Sequence, residues 1–358
     1  MTKVVILLGA GATLSDVATN PHRSRPPLDK RFFSEARLTE PDRVATIHDY
    51  MRKTYATDVL DPAHDSLEGV MAQVYTDLFN PRLEVTAGHT FRELMRLFNG
   101  RLATTTNEIH PTNKRFLYRI VARYLAEGVR PSEITIITFN QDLQVEKCLH
   151  LMSTVSRWSH HADRIFSFPG LYSLGLPSAN VTSPSEASEQ VFPASDPKDD
   201  CISLLKLHGS LNWYSSHSSR APSTSAMFKP SRKLWVTCRR SIEPRMTLQG
   251  KQRSMYTLPV IVPPVSHKSA VLHDSMKTLW RRAETRLRNA DEIVVFGYSC
   301  PALDFESSNQ LRRSQINRPH KPAISLIDPD PTTVARYIGL LGATRLGYYA
   351  SAHDFVSR

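Results

Sequence analysis

Cysteine is scarce: four residues in 358, at positions 148, 201, 238 and 300. None is close to another in sequence, and no CxxC pair occurs. This excludes a disulfide framework and a zinc ribbon, so no metal is expected and the thiols read as reduced and mostly buried. Long hydrophobic runs are missing as well. No uninterrupted apolar stretch approaches the ~18 residues that a membrane span needs. The start, MTKVVILLGAGAT, runs from a short apolar core straight into a glycine-rich turn. It reads as a buried strand and not as a secretory leader. With neither leader nor span, the expected place is the cytoplasm. Internal repeats are also absent.

What is present begins with charge. Lys and Arg number 45 against 34 Asp and Glu, for a formal net charge of +11. Such a balance favours contact with nucleic acid or a phosphate-bearing ligand, set against the plainer reading of scattered solubilising arginines. The most basic stretches, Arg281-Arg282, Arg286, Arg288 and Arg312-Arg313, read as exposed helix faces. The apolar fraction is 41 %, ordinary for a globular chain.

Apolar strands alternate with helices along the chain. KVVILL (3–8) is a strand, followed by GAGAT; residues 20–34 read as a loop. Helices follow at 41–60, from Asp65-Ser66, at Phe91–Leu102 and at Lys114–Glu127, the last closed by Gly128. ITIIT within 132–142 is a second strand and CISLLKLHG a third. LPVIVPP (258–264) reads as a fourth core strand, DEIVVFGYS (291–299) as a fifth and PAISLIDPD (322–330) as a sixth. An amphipathic basic helix spans 270–289, another helix Thr332–Leu341, and YYASAHDFV is a short closing segment. Residues 153–200 and 214–256 read as polar excursions or loops, with 178–199 a mobile loop and KLWVTC (233–238) a strand.

This is the pattern of an α/β fold: a Rossmann-like, doubly wound, mostly parallel six-stranded sheet, with a helical insertion at 41–127 after the first strand. Ligands bind such sheets beyond the carboxyl ends of the strands. Those ends read GAG, TFNQD, LHGS, FGYS and IDPD, and together define one rim.

Gly9, Ala10, Gly11 and Thr13 form a GxG turn that lets a backbone approach a pyrophosphate, although a plain tight turn explains it too. The third glycine of the dinucleotide fingerprint is missing, as is an acidic strand end about twenty residues on, so an ordinary dehydrogenase is excluded. Asn140 and Asp142 leave one strand end, where they either face a pocket or start a turn and cap the helix at 143–150. His208 is a neutral-pH proton acceptor or a core histidine bonded to a carbonyl. Asn212 and Trp213 read as wall residues. Gly297, Ser299 and Asp328 complete the rim, each with a turn or cap alternative.

In chain order the constellation GAG, TFNQD, KLHGSLNW, FGYSCPALD and IDPDP resembles the sirtuin family (silent information regulator proteins). KLHGSLNW and the GYS-x-P-x-x-D pattern are especially similar to divergent bacterial sirtuin-like proteins of antiphage defence. The resemblance spans nearly the whole chain and implies a single catalytic domain over 1–358. It implies that Gly9, Ala10, Gly11 and Thr13 bind the diphosphate and nearby ribose of NAD. Asn140 would position the nicotinamide ribose and a water, Asp142 the nicotinamide carboxamide, and His208 would be the base. Gly297 and Ser299 would hold phosphate or the adenine-side ribose, with Asp328 standing where the family often has Asn. Two departures count against protein deacylation: the four-cysteine zinc module is missing, and RSRPPLDKRFF (23–33) matches the family's G-I-P-D-F-R-like loop only approximately, at Pro27, Leu28 and Phe32.

The activity so implied is NAD hydrolysis to ADP-ribose and nicotinamide, with NAD as substrate, acting as an antiphage abortive-infection effector. The alternatives are a sirtuin-type deacylase or ADP-ribosyltransferase, and a non-enzymatic nucleotide- or DNA-binding subunit. A toxic activity needs restraint, so the resemblance further implies a homo-oligomer and a separate activating partner. That partner would be a DNA-translocating helicase or ATPase, or a short Argonaute-type protein, with indirect nucleic-acid contact.

Overall fold

The computed structural model describes residues 2–17, 31–61, 63–64, 66–108, 112, 115–168, 170–174, 178–179, 199–218, 234–237, 248–249, 255–262, 274–301, 304–318, 320–342 and 345–357. Eleven strands lie among them: β1 (Val4–Leu8), β2 (Ile134–Thr138), β3 (Ser178–Ala179), β4 (Ser203–Lys206), β5 (Gly209–Ser218), β6 (Leu234–Thr237), β7 (Leu248–Gln249), β8 (Met255–Ile261), β9 (Glu292–Phe296), β10 (Ala323–Ile327) and β11 (Arg345–Tyr349).

Six of them form the main sheet, in the order β11-β10-β9-β1-β2-β4, with every pair parallel. Renumbered by position in the chain, this is the 3-2-1-4-5-6 order of a doubly wound dinucleotide-binding sheet. Val4 pairs with Ile134 on one side and Glu292 on the other, so β1 is central. Its five residues are all buried, as are those of β2. Both faces are covered by helices, including Phe116–Ala126, Gln144–Thr154, Asp274–Arg288 and Thr333–Leu341. That double coverage is why these strands are continuous apolar runs and not alternating ones.

The expected count of six strands holds, but its membership changes. LPVIVPP contributes to β8, which belongs to a second, mostly antiparallel sheet of order β3-β6-β5-β8-β7. A short apolar run does not say which sheet it joins, and Pro259 lies opposite Tyr214 where the β5–β8 register shifts. The sixth strand of the main sheet is β11, of which only Tyr348 and Tyr349 fall in the stretch read as a closing segment. The third strand also ends early. Lys206 is its last residue, Leu207 and His208 form a turn, and Gly209 opens β5 with φ of +80°. The chain therefore passes from the first sheet to the second at LHG.

Helices Phe32–Ala36, Pro41–Tyr55, Leu67–Asp77 and Glu84–Glu108 share their own apolar core, which meets the rest through Leu143, Leu211 and Ile261. Ser66 caps the third of these by accepting from the Gly69 amide at 3.1 Å. Glu84–Glu108 runs well past the expected 91–102. Its end turns lack apolar spacing because Thr86, Thr90 and Thr104 turn their hydroxyls back onto the helix's own carbonyls or the one just before it. Buried Asp77 accepts from the hydroxyls of Tyr50 and Tyr55 at 2.6 Å each. Burial and that carboxylate push Tyr50 up, and Tyr55 to about 12.

Cys148, Cys201 and Cys300 are buried. Cys238, residues 18–30 with Pro27 and Leu28, residues 180–198 and residues 270–273 lie outside the described residues. Among the described residues, no helix is long and apolar enough to cross a membrane.

The turns after β1 and β9 cross at glycines. Gly9 donates its amide to Phe296 O at 3.1 Å and Gly11 donates to Gly297 O at 2.9 Å. A Cβ on Gly297 would stand 2.2 Å from the Ala12 nitrogen, and one on Gly9 would stand 2.5 Å from Gly297 O. Gly297 also has φ of +60°. Gly128 has φ of +84° but open space around its missing Cβ. Alanine at Gly128 is therefore expected to cost only about 1–2 kcal/mol, the backbone term. Gly297→Ala adds a backbone clash and should cost about 3 kcal/mol or more. Urea unfolding of the two variants checks the contrast; equal losses would refute it.

Candidate functional site

The order of the main sheet reverses at β1, with β2 and β4 on one side and β9, β10 and β11 on the other. The crevice beyond the carboxyl ends of the strands at that reversal is where this architecture receives ligands. Thr13, Asn140 and Asp142 meet there. Asn140 donates from Nδ2 to Gly9 O at 2.8 Å and to Thr13 Oγ1 at 3.1 Å. Thr13 Oγ1 in turn donates to Asp142 Oδ2 at 2.9 Å. The other carboxylate oxygen of Asp142 accepts from the Gln144 amide at 3.0 Å, tying the chain into the helix Gln144–Thr154. The N-cap residue of that helix is Leu143, so Asp142 stands one residue before the cap position expected of it. Thr13 and Asp142 are buried, and Asn140 is half-buried. Among the described residues nothing donates to Asn140 Oδ1.

His208 sits at the corner between the two sheets and is buried. Its carbonyl accepts from the Val262 amide at 2.9 Å, and the preceding Leu207 amide donates to Thr138 O at 3.0 Å. The imidazole lies 5.1 Å from the Phe139 ring and 6.2 Å from the Trp280 ring, centroid to centroid. Phe139 stacks on Tyr298 at 4.1 Å. The residue before Asn140 is therefore the ring that links His208 to the turn after β9. Asp304 Oδ2 stands 3.9 Å from His208 Nε2 and accepts from the Tyr298 hydroxyl at 2.7 Å. The distance to His208 is too long for a hydrogen bond. Burial and Asp304 hold the Tyr298 hydroxyl far above its ordinary range, so it stays a donor.

The remaining expected residues sit on the same rim without hydrogen bonds to this set. Ala10 and Ser299 are exposed, and Gly11 is half-buried with its amide committed to Gly297 O. Ser299 O and Cys300 O both accept from the Arg336 guanidinium. Asp328 is buried after β10, its Oδ1 accepting from the Asp330 amide at 2.8 Å. Asn212 and Trp213 are interior, Trp213 packing edge-on to Tyr172 at 5.2 Å.

Beneath the rim lies a polar network that motif reading missed. Lys206, fully buried, donates to the Asp142 carbonyl and to Glu146 Oε1, the latter at 2.9 Å. Glu146 Oε1 also accepts from Tyr172 at 2.9 Å, Tyr172 accepts from Asn212 at 2.9 Å, and Asn212 accepts from Ser210 at 2.7 Å. The signal was available in SLLKL: a lysine inside a strand buried on both faces must have a buried partner. Asp304 closes the GYS-x-P-x-x-D pattern of the sequence but carries no role in that reading. It occupies the N-cap position of the helix Phe305–Arg313, the ordinary place for an aspartate, yet makes no side-chain cap bond there.

Among solved structures, the chain is similar to a Sir2 homologue mutant–ADP-ribose complex, at 13 % identity and a TM-score of 0.39, covering 99 % of this chain and 88 % of that one. It is also similar to Sir2 in complex with an inhibitor, 2′-O-acetyl-ADP-ribose and a deacetylated peptide, at 13 % identity, a TM-score of 0.37 and coverage of 99 % and 91 %. A third, from a study of Sir2 enzymes, shows 10 % identity, a TM-score of 0.35 and coverage of 100 % and 90 %. No family model and no curated protein sequence matches the chain.

Two outcomes follow from these environments. Lys206→Met leaves Glu146 buried without its cation, with Oε2 already lacking a partner. It should cost about 3–5 kcal/mol in chemical unfolding, and adding Glu146→Leu should recover much of that; a neutral single variant would refute the network. Burial raises the Asp328 carboxyl. A raised folded-state carboxyl favours folding at low pH, and that contribution is lost as pH rises through the folded value. Asp328→Asn should therefore raise the melting temperature at neutral pH, with the gain disappearing below about pH 4. A gain that persists in acid would show another cause.

Proposed function

We propose that this chain is an NAD-consuming enzyme that hydrolyses the bond between nicotinamide and ribose. The observation that carries the proposal is the hydrogen-bonded set Thr13, Asn140 and Asp142 at the reversal of strand order, beside the buried imidazole of His208. The sequence resemblance to sirtuin-like proteins supplies the substrate. Nicotinamide is a cationic leaving group in NAD, so the C–N bond breaks with its electron pair going to nicotinamide and needs little acid help. What the protein must supply is a fixed ribose, screening of the oxocarbenium-like charge, and a placed water.

Asn140 suits the first and third tasks. Its amide nitrogen is held by Gly9 O and Thr13, which leaves Oδ1 a preorganised acceptor. His208 takes the water proton as oxygen bonds to the anomeric carbon, with Asp304 stabilising the imidazolium so formed. NAD and water thus become nicotinamide, ADP-ribose and a proton. Asp142 holds the nicotinamide carboxamide and also orients Thr13. Gly9, Ala10, Gly11, Thr13, Gly297, Ser299 and Asp328 line the path of the diphosphate and the second ribose. The Gly11 amide is already engaged, so diphosphate contact falls to its neighbours.

The reading extends to biology: an antiphage effector, acting in the cytoplasm as a homo-oligomer and released by a separate partner that senses nucleic acid. Purified full-length protein is incubated with NAD, alone and with candidate partners and DNA, while nicotinamide is measured. His208→Ala should lower release by about 10²-fold or more, and Asn140→Ala should do likewise. Undiminished release from either variant would refute the assignment. Release that needs an acetylated peptide, with acetylated ADP-ribose formed, would indicate acyl transfer instead.

A further inference from the structure

The helix Asp274–Arg288 borders a second concavity, separate from the rim. It is a cavity of about 390 Å³ between that helix and the outer strand β4, lined by Ser203, Leu205, Thr278, Arg281, Arg282 and Arg286 among others. Its β4 residues, Ser203 and Leu205, belong to the sheet face opposite Lys206, and the candidate active site begins only beyond the end of that strand.

The arginines here are not spent on carboxylates. Glu284 takes up Arg288 at 2.7 Å and Arg313 at 3.6 Å. Arg282 donates to the Ser173 carbonyl, which fixes its guanidinium at the cavity wall. Among the described residues Arg281 reaches only Lys277 O and Thr278 Oγ1, at 3.4 and 3.5 Å. Arg286 is half-buried and has no hydrogen-bond or ion-pair partner among the described residues. A guanidinium at a cavity wall that no carboxylate engages is available to an anion. One carboxylate, the exposed Asp199, also lines the cavity and opposes an anion there.

We propose that this cavity binds a phosphate-bearing ligand through Arg281, Arg282 and Arg286. Three guanidiniums match the several oxygens of a phosphate, where a carboxylate offers only two; the Thr285 hydroxyl at the wall already donates to Arg281 O at 3.1 Å. The cavity has the size of a small-molecule site and is too narrow for a duplex groove. The phosphate is therefore that of a free nucleotide or of the end of a single strand.

Calorimetric titration of the full chain with inorganic pyrophosphate, with AMP and with a short 5′-phosphorylated single-stranded oligonucleotide tests this. At least one should bind, and Arg286→Gln should weaken binding about tenfold or more. The exposed Arg281→Gln should weaken it too, and serves as the second variant should Arg286→Gln fail to melt normally. Asp199→Asn should tighten it. Asn140→Ala, which alters the candidate active site, should leave it unchanged. Tighter binding of the oligonucleotide than of AMP with the same arginine dependence assigns the ligand to a strand end; the reverse assigns it to a free nucleotide. No binding of any probe, binding indifferent to Arg281 and Arg286, or binding lost in Asn140→Ala would overturn the proposal.

Discussion

The crossing of two backbones at Gly9, Gly11 and Gly297 is the constraint on which the rest of the molecule depends. At that point the turns after β1 and β9 are closer than any side chain allows. The contact sets the floor of the crevice, and everything above it inherits the position. Gly9 gives its amide to one strand end and its carbonyl to Asn140. Asn140 then fixes Thr13, and Thr13 fixes Asp142. A single steric requirement thus propagates through hydrogen bonds across three separate parts of the chain. The glycine pair of a dinucleotide-type turn is usually discussed for its approach to a ligand. Here its first use is internal, because the strand ends themselves make the close approach.

The second organising element is charge kept away from water. Lys206 and Glu146 are among the most buried side chains of the protein and sit directly under the Asp142 carbonyl. Replacing such a pair with apolar residues is often harmless to stability, so its presence asks for a reason other than stability. The geometry offers one: the ammonium grips the turn that carries Asp142, while the carboxylate reaches through Tyr172 and Asn212 into β5. The pair ties the position of the rim to the second sheet.

Much of the fold was legible in the sequence. KVVILL, ITIIT and EIVVF are apolar on both faces, and only a parallel sheet covered by helices on each side accounts for that. Sheet membership was less legible. LPVIVPP and RLGYY exchanged their expected places because an apolar run specifies burial and not a pairing partner. The site was readable where a polar residue directly follows a core strand, as at Asn140 and His208. It was not readable where a residue hides in an ordinary position. Asp304 resembles a helix cap, and Phe139 resembles one more core aromatic until it is seen between His208 and Tyr298.

The central pairing has a consequence for biosynthesis. Lys3 and Asp291, joined at the foot of β1 and β9, are 288 residues apart. Contacts so distant in sequence form late and slowly, and a chain emerging from the ribosome can pair β1 with β2 long before β9 exists. The crevice then has one wall. The glycine crossing closes only after β9 has left the ribosome, so an unfinished chain holds Asn140 and His208 but lacks the turn that packs Phe139 between them and Tyr298. A chain that stops before β9 therefore has the crevice with one of its walls missing.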